Sequence, residues 1–183
     1  MTYLFETEEH AHLRETVKRF SQKHIAPHAH AWEEAEEFPR ELYKTAAEAG
    51  VLGISYPTED GGVGGDITHA LVAGEEMVLQ GRSVGTCVGL NSHGIALPPI
   101  VRMGTPEQKK QFVSPVLAGE KVSALAITEP GGGSDVASLR TKAVRDGDVY
   151  VVNGAKTFIT SGCRADLVTT AVRTGGEGHA GIS

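Results

Sequence analysis

The chain is short of cysteine, of tryptophan and of positive charge. It holds two cysteines, Cys87 and Cys163, and one tryptophan in 183 residues. Two thiols so far apart are too few for a disulfide framework, which makes the cytoplasm the expected compartment. Its 17 Lys and Arg against 23 Asp and Glu give a net charge of -6, which excludes a nucleic-acid surface built on clustered cations. No apolar run reaches the roughly twenty residues that a membrane-spanning helix needs. The first residues, Met-Thr-Tyr-Leu-Phe-Glu, turn acidic at once, unlike a signal peptide. Histidines His24, His28 and His30 lie close together, but Pro27 interrupts them and no Cys or Asp partner accompanies them. No metal site is expected.

What is present is 40% hydrophobic residues and 22% charged ones, enough for a globular chain with a real core. The first two thirds reads as helices. Leu13, Val17 and Phe20 recur at helical spacing, and Pro27 breaks the helical run beyond them. Pro39 opens a second helix through Leu42, Ala46 and Ala49, with Gly50 just past its end. After the loop Gly61-Gly62-Val63-Gly64-Gly65 a third helix bears Leu71, Val78 and Leu79. Small residues crowd positions 83 to 97 (Gly85, Gly89, Gly94, Ala96), as in a tightly packed or pocket-lining helix. Thr105-Pro106-Glu107-Gln108 then supplies an N-cap, a proline at the first helical position and a capping-box Gln, ahead of Phe112, Val116 and Leu117.

After Gly119 the period changes. Val122 to Thr128, Leu139 to Val144, Val149 to Asn153, Thr157 to Thr160 and Leu167 to Val172 are short β-branched runs. Asp146-Gly147 and Asn153-Gly154 between them are hairpin signals, so the strands are expected to pair antiparallel. Helices first and strands afterwards make an α+β chain, divided into residues 1–120 and 121–183. A sheet ending at the glycine-rich stretch before Ser183 would leave an open edge, so the chain is expected to be incomplete.

Two stretches carry the chemistry. Ile127-Thr128-Glu129-Pro130-Gly131-Gly132-Gly133-Ser134-Asp135 runs from a strand end into a glycine turn. Three glycines clear the Cβ atoms from one face, so that amide N–H groups can converge on an anion such as a pyrophosphate. Asn153-Gly154-Ala155-Lys156-Thr157-Phe158-Ile159-Thr160-Ser161 offers an aromatic ring and hydroxyls. An anion cradle, hydroxyl hydrogen bonds and a ring to stack on suit a flat, phosphate-bearing cofactor. Taken singly, each element has a plainer reading. The turn is then a loop of glycines with positive φ, Ser134 and Asp135 are helix caps, Phe158 is core packing, and Lys156 is a rim charge.

In order and at this spacing, the two stretches resemble the flavin-binding signature of the acyl-CoA dehydrogenase family. Glu37-Phe38-Pro39, Gly50-Val51-Leu52-Gly53 and Gly104-Thr105-Pro106-Glu107-Gln108-Lys109 add to the resemblance. It implies an N-terminal helical domain and the opening of an antiparallel β-barrel domain, with the family's C-terminal helical bundle finding no counterpart here. Carried over, Leu125, Ala126, Ile127 and Thr128 run along the flavin of FAD, with Thr128 at the pyrimidine edge. Gly133 and Ser134 meet the pyrophosphate, and Ser134 also lies near the CoA of an acyl-CoA substrate. Phe158 covers a flavin face, with Ile159 beside it and Thr160 near N5. The segment from Val88 to Ser92 forms the floor of the acyl pocket. The implied reaction is α,β-dehydrogenation of an acyl-CoA, with a carboxylate base expected beyond residue 183. Electrons then pass to an electron-transferring flavoprotein, and the implied assembly is a homotetramer, a dimer of dimers. Two alternatives stand beside this. One is an acyl-CoA oxidase or flavin monooxygenase of the same fold; the other is a non-catalytic subunit or fragment that mediates assembly.

Overall fold

The computed structural model describes residues 3–183; Met1 and Thr2, the head of the acidic N-terminal stretch, lie outside the described residues. Helix α1 (Glu8–His24) runs until Pro27 ends the helical path, and α2 (Ala29–Ala35) resumes after it. Helix α3 (Glu41–Glu48) ends where Gly50 takes a left-handed φ of 68°, as its sequence position predicts. Helix α4 (Ile67–Gly81) packs along α1. Arg14 of α1 binds Glu75 and Glu76 of α4 at 2.7 and 3.1 Å.

The buried side of α4 is Val72, Ala73, Glu76 and Met77, while Leu71 and Leu79 are 51% and 61% exposed. The expected helix is present, with Leu71 and Leu79 on its outer side. Apolar residues surround the α4 circumference, so periodicity alone selects no side. Packing against α1 decides it.

Short helices follow: α5 (Val84–Leu90), α6 (His93–Ala96) and α7 (Pro98–Met103). Helix α8 (Pro106–Gln108) begins with the Thr105–Gln108 capping box and passes through a π turn at Lys109–Val113 into α9 (Ser114–Leu117). Pro115 has no N–H to give the carbonyl four residues back, and the register shifts there. Val17, Phe20, Ile25, Leu42, Ala46, Val51, Met77 and Leu90 close the main core.

Strands begin at β1 (Ser123–Ala126). Strands β2 (Lys142–Asp146) and β3 (Val149–Asn153) form an antiparallel hairpin, with Gly147 at φ 59° opening its two-residue turn. Strand β4 (Leu167–Thr170) pairs with β1 in parallel, Ser123 opposite Leu167. The expectation of antiparallel pairing throughout is therefore corrected. The chain from Ile127 to Asp166 acts as one long crossover that returns to the same end of β1. Asn153-Gly154 is not a hairpin turn, and Thr157 to Thr160 is not a strand. Ser92 Oγ donates to Ser123 O at 3.0 Å and Thr169 Oγ1 to Ala96 O at 2.7 Å, docking this sheet on α6. Among the described residues no helix is long and apolar enough to cross a membrane.

Candidate functional site

Strand β1 delivers the first stretch. Ala126 is buried, Leu125, Ile127 and Thr128 are half-buried, and Gly131 to Asp135 are exposed. Glu129 and Gly132 exchange backbone hydrogen bonds of 3.0 and 3.1 Å, closing a tight turn over Pro130 and Gly131. None of the three glycines has a left-handed φ, so backbone strain does not require glycine here. A Cβ at Gly131 or Gly132 would meet nothing within 4 Å, and one at Gly133 would lie 3.3 Å from Thr128 Cγ2. The glycines thus keep backbone approachable from outside. Among the described residues the amides of Gly131, Gly133 and Ser134 meet no acceptor. Asp135 makes no side-chain cap bond to the 3₁₀ turn Val136–Ser138 behind it. A cavity of about 310 Å³ opens between Gly131–Gly133, Leu139–Thr141, Gly154 and Ala155. Glu129 and Asp135 also line it, and unpaired amides such as those of Gly131 and Gly133 suit an anion.

The second stretch is laid against the first. Gly154, at φ 155°, crosses Thr141 so closely that a Cβ would sit 2.4 Å from its Oγ1. Thr157 N then donates to Thr128 O at 2.9 Å. Lys156 is no rim charge: its side chain is 9% exposed, and Nζ donates to Ile127 O at 2.8 Å and to Glu129 Oε1 at 3.0 Å. Glu129 also accepts the amides of Arg140 and Thr141, each at 2.8 Å. Burial opposes ionisation of Glu129, but these donors outweigh it and hold the carboxyl at about 2. The Thr141 hydroxyl favours the carboxylate by proximity yet makes no well-directed bond.

Phe158 comes next, with φ 56° and 91% of its surface exposed. A bulky residue held in the left-handed region with its ring in solvent is an outlier of the kind found at ligand sites, and core packing does not describe it. Ser161, at φ 62°, turns the chain again. These two residues break the extended path that the alternating pattern predicts for Thr157 to Thr160.

A second cavity, of about 440 Å³, lies between α2, α5 and the segment Ile159–Arg164. Gly85, Thr86 and Gly89 form its α5 wall. Phe38 fills the space beside Gly89, where a Cβ would come within 2.6 Å of the ring. The Arg164 guanidinium sits 4.7 Å over that ring and donates to Phe38 O at 2.9 Å. Thr160 and Ile159 therefore line the same cavity as Gly85 and Gly89 of α5. Val88 is half-exposed and borders another cavity, beside Ile67 and Gly74. Gly89 is common to this wall and to the segment Val88 to Ser92, and Val88 and Asn91 of that segment line the other cavity. Sequence reasoning missed Glu129 and Lys156 as a pair; the signal was one opposite charge in each stretch.

Among the described residues a different histidine group from the one singled out in sequence comes together: His10, Asp66 and His69. The two rings stack at 4.0 Å with 21° between their planes, so their in-plane lone pairs do not converge on one ion.

Residues 7–120 match the acyl-CoA dehydrogenase N-terminal domain and residues 124–183 the acyl-CoA dehydrogenase middle domain. The long-chain specific acyl-CoA dehydrogenase of Rattus norvegicus mitochondria is 41% identical over 170 residues, 92% of this chain. The chain spans 39% of that enzyme's length. A putative acyl-CoA dehydrogenase from Mycobacterium smegmatis superposes with a TM-score of 0.96 at 51% identity, covering 99% of this chain and 48% of that one. A glutaryl-CoA dehydrogenase from the same organism, solved in complex with FADH2, gives a TM-score of 0.84 at 28% identity over 92% of this chain and 43% of its own. With both matched domains in the observed order and the fold shared, this chain belongs to the acyl-CoA dehydrogenase family.

Proposed function

We propose that the protein is a flavin-dependent acyl-CoA dehydrogenase. The observation that carries this reading is the stitching of Thr157 to Thr128. It sets an exposed, left-handed Phe158 beside a strand end whose glycine turn has unpaired amides. In this reading FAD, when bound, takes up the hydride from the β carbon of the acyl thioester. The amides of Gly133 and Ser134, with the Ser134 hydroxyl, hold the pyrophosphate, and Ser134 also borders the CoA. Thr128 donates at the pyrimidine edge and Thr160 at N5, where hydrogen bonds favour the electron-rich reduced ring. Phe158 covers one face of the ring while Leu125, Ala126 and Ile127 back it, Ala126 through its backbone, and Ile159 packs beside it. The cavity walled by Gly85, Thr86 and Gly89 takes the acyl group. No carboxylate among these residues is assigned as the base.

The same reading makes residues 1–120 and 121–183 two domains and an electron-transferring flavoprotein the electron acceptor, while the two free thiols support the cytoplasm as the compartment. It also makes the assembly a dimer of dimers. Exposed Ile67, Leu71, Leu79, Val84 and Val88 support burial of this helical surface in an assembly.

The test is made on the full-length protein, by bound-flavin absorbance and acyl-CoA-dependent dye reduction. Ser134→Ala and Thr160→Val should each weaken FAD binding or slow flavin reduction by the loss of one hydrogen bond, about 0.5–1.5 kcal/mol. FAD retention and reduction unchanged in both variants would remove these residues from the site, and a wild-type protein that takes up no flavin would remove the function.

A further inference from the structure

We infer that the largely buried Glu129–Lys156 pair is a positioning device, which holds the left-handed Phe158 turn in register with Thr128 before any ligand arrives. The inference rests on the flavin reading and concerns two residues which that reading leaves without a task.

Lys156 and Glu129 are 9% and 11% exposed at their side chains. A buried ion pair is a poor source of net stability, because desolvation consumes most of the Coulombic gain. What such a pair does well is fix geometry, and this one joins three segments at a point. Nζ of Lys156 reaches Ile127 O and Glu129 Oε1, tying the second stretch to the first. The carboxylate of Glu129 accepts two further amides, from Arg140 and Thr141, tying in the entry to β2. Directly after Lys156, Thr157 N closes on Thr128 O. Directly after Thr157, the backbone enters the left-handed region at Phe158.

A residue held there needs surroundings that over-determine it. The Phe158 ring, in solvent, supplies none. The restraint comes from the two anchored residues before it and from Gly162 N, which donates to Ile159 O at 2.8 Å after it. Without the ammonium, the carboxylate keeps its amide donors but loses its hold on the second stretch, and the turn is free to relax toward extended backbone.

The experiment uses the full-length protein with FAD as probe and compares Lys156→Met, Lys156→Arg and Glu129→Gln. Two quantities are read: the FAD dissociation constant, and the hydrogen-exchange rate of the Thr157 amide. Lys156→Met should raise both by about tenfold or more. Lys156→Arg can still donate to Ile127 O and the carboxylate, and should return both to within about threefold of wild type. If Lys156→Met fails to fold, Glu129→Gln, which keeps an acceptor but loses the charge, should raise the same two quantities in the same direction. Faster Thr157 exchange with unchanged FAD affinity would overturn the positioning role and leave the flavin reading standing. Unchanged exchange in both Lys156→Met and Glu129→Gln would overturn the anchoring itself. A wild-type protein that binds no FAD would overturn both readings together.

Discussion

In the helices and at their caps Val17, Ile25, Ala46, Val72, Leu90 and Leu97 are all closed to solvent, whereas every residue of β3 is exposed. The helical part is held largely by apolar contact, with polar clusters around Arg14 and at His10, Asp66 and His69. The β part buries Ala124 and Ala126 of β1, while the segments beyond that strand are held by clasps. Besides Glu129 and Lys156, the Arg173 guanidinium reaches Leu139 O at 2.9 Å and Ala137 O at 2.7 Å. Burial is non-directional and tolerates small shifts, while hydrogen bonds fix angles. A chain that must present amides and a ring at set positions gains from the second kind of restraint at the site and from the first kind behind it.

The largest contrast is expected between core and hairpin. Ile25→Ala, at a fully buried position, should cost about 2–5 kcal/mol in denaturant unfolding. Tyr150→Ser, on a β3 position 59% exposed, should stay within about 0.5 kcal/mol. A hairpin substitution as costly as the core one would mean that β3 is packed in solution, and the division between burial and clasps would fail.

The next effect sharpens the picture of the helical part. His93 is buried, with its Nδ1–H donating to Leu90 O at 3.0 Å and Nε2 accepting Gly53 N at 3.3 Å. Burial pulls its pKa down to about 4 from 6.5, against the small upward pull of the Leu90 carbonyl. The unfolded chain therefore takes up a proton below about 6.5 that the folded chain refuses until about 4. Stability is fully present above 6.5 and declines as pH falls between these values, by about 3 kcal/mol in all. Glu129, held at about 2 against an ordinary 4.5, contributes stability that is present above about 4.5 and lost as pH falls toward 2, so its window opens where that of His93 closes. His93→Gln should remove the upper decline; a stability profile flat from pH 7 to 4 in the wild type would contradict the assignment.

Legibility in the sequence divides along the same line. Proline, glycine and capping residues mark helix ends locally, so Pro27, Gly50 and Thr105 were readable without the structure. The two cofactor-type stretches were readable because their order and spacing are local as well. Faces and partners were not. Leu71 and Leu79 lie on a helix apolar all round, where only the neighbour α1 selects the buried side. The parallel pairing of β1 with β4 depends on where the intervening crossover returns. Lys156 reads as a surface charge until Glu129, remote in sequence, is seen beside it.

The smallest effect bears on Phe158, and its sign is the informative part. A side chain at φ 56° carries about 1–2 kcal/mol of backbone strain. The ring is 91% exposed and returns little burial energy in exchange. Phe158→Gly relieves the strain but adds about 0.5–1 kcal/mol of chain entropy to be lost on folding. The net change should be a stabilisation of between about 0 and 1.5 kcal/mol, opposite in direction to Ile25→Ala. Phe158→Ala removes the ring and keeps the Cβ, so it should be less stable than the glycine variant by about 1 kcal/mol. Both variants lack the stacking surface and should bind FAD more weakly than wild type. Denaturant melts of the two variants, beside FAD titrations, separate the strain from the ring. If the alanine variant proves the more stable, the left-handed turn relaxes in solution, and the clasp at Lys156 has no strain to hold.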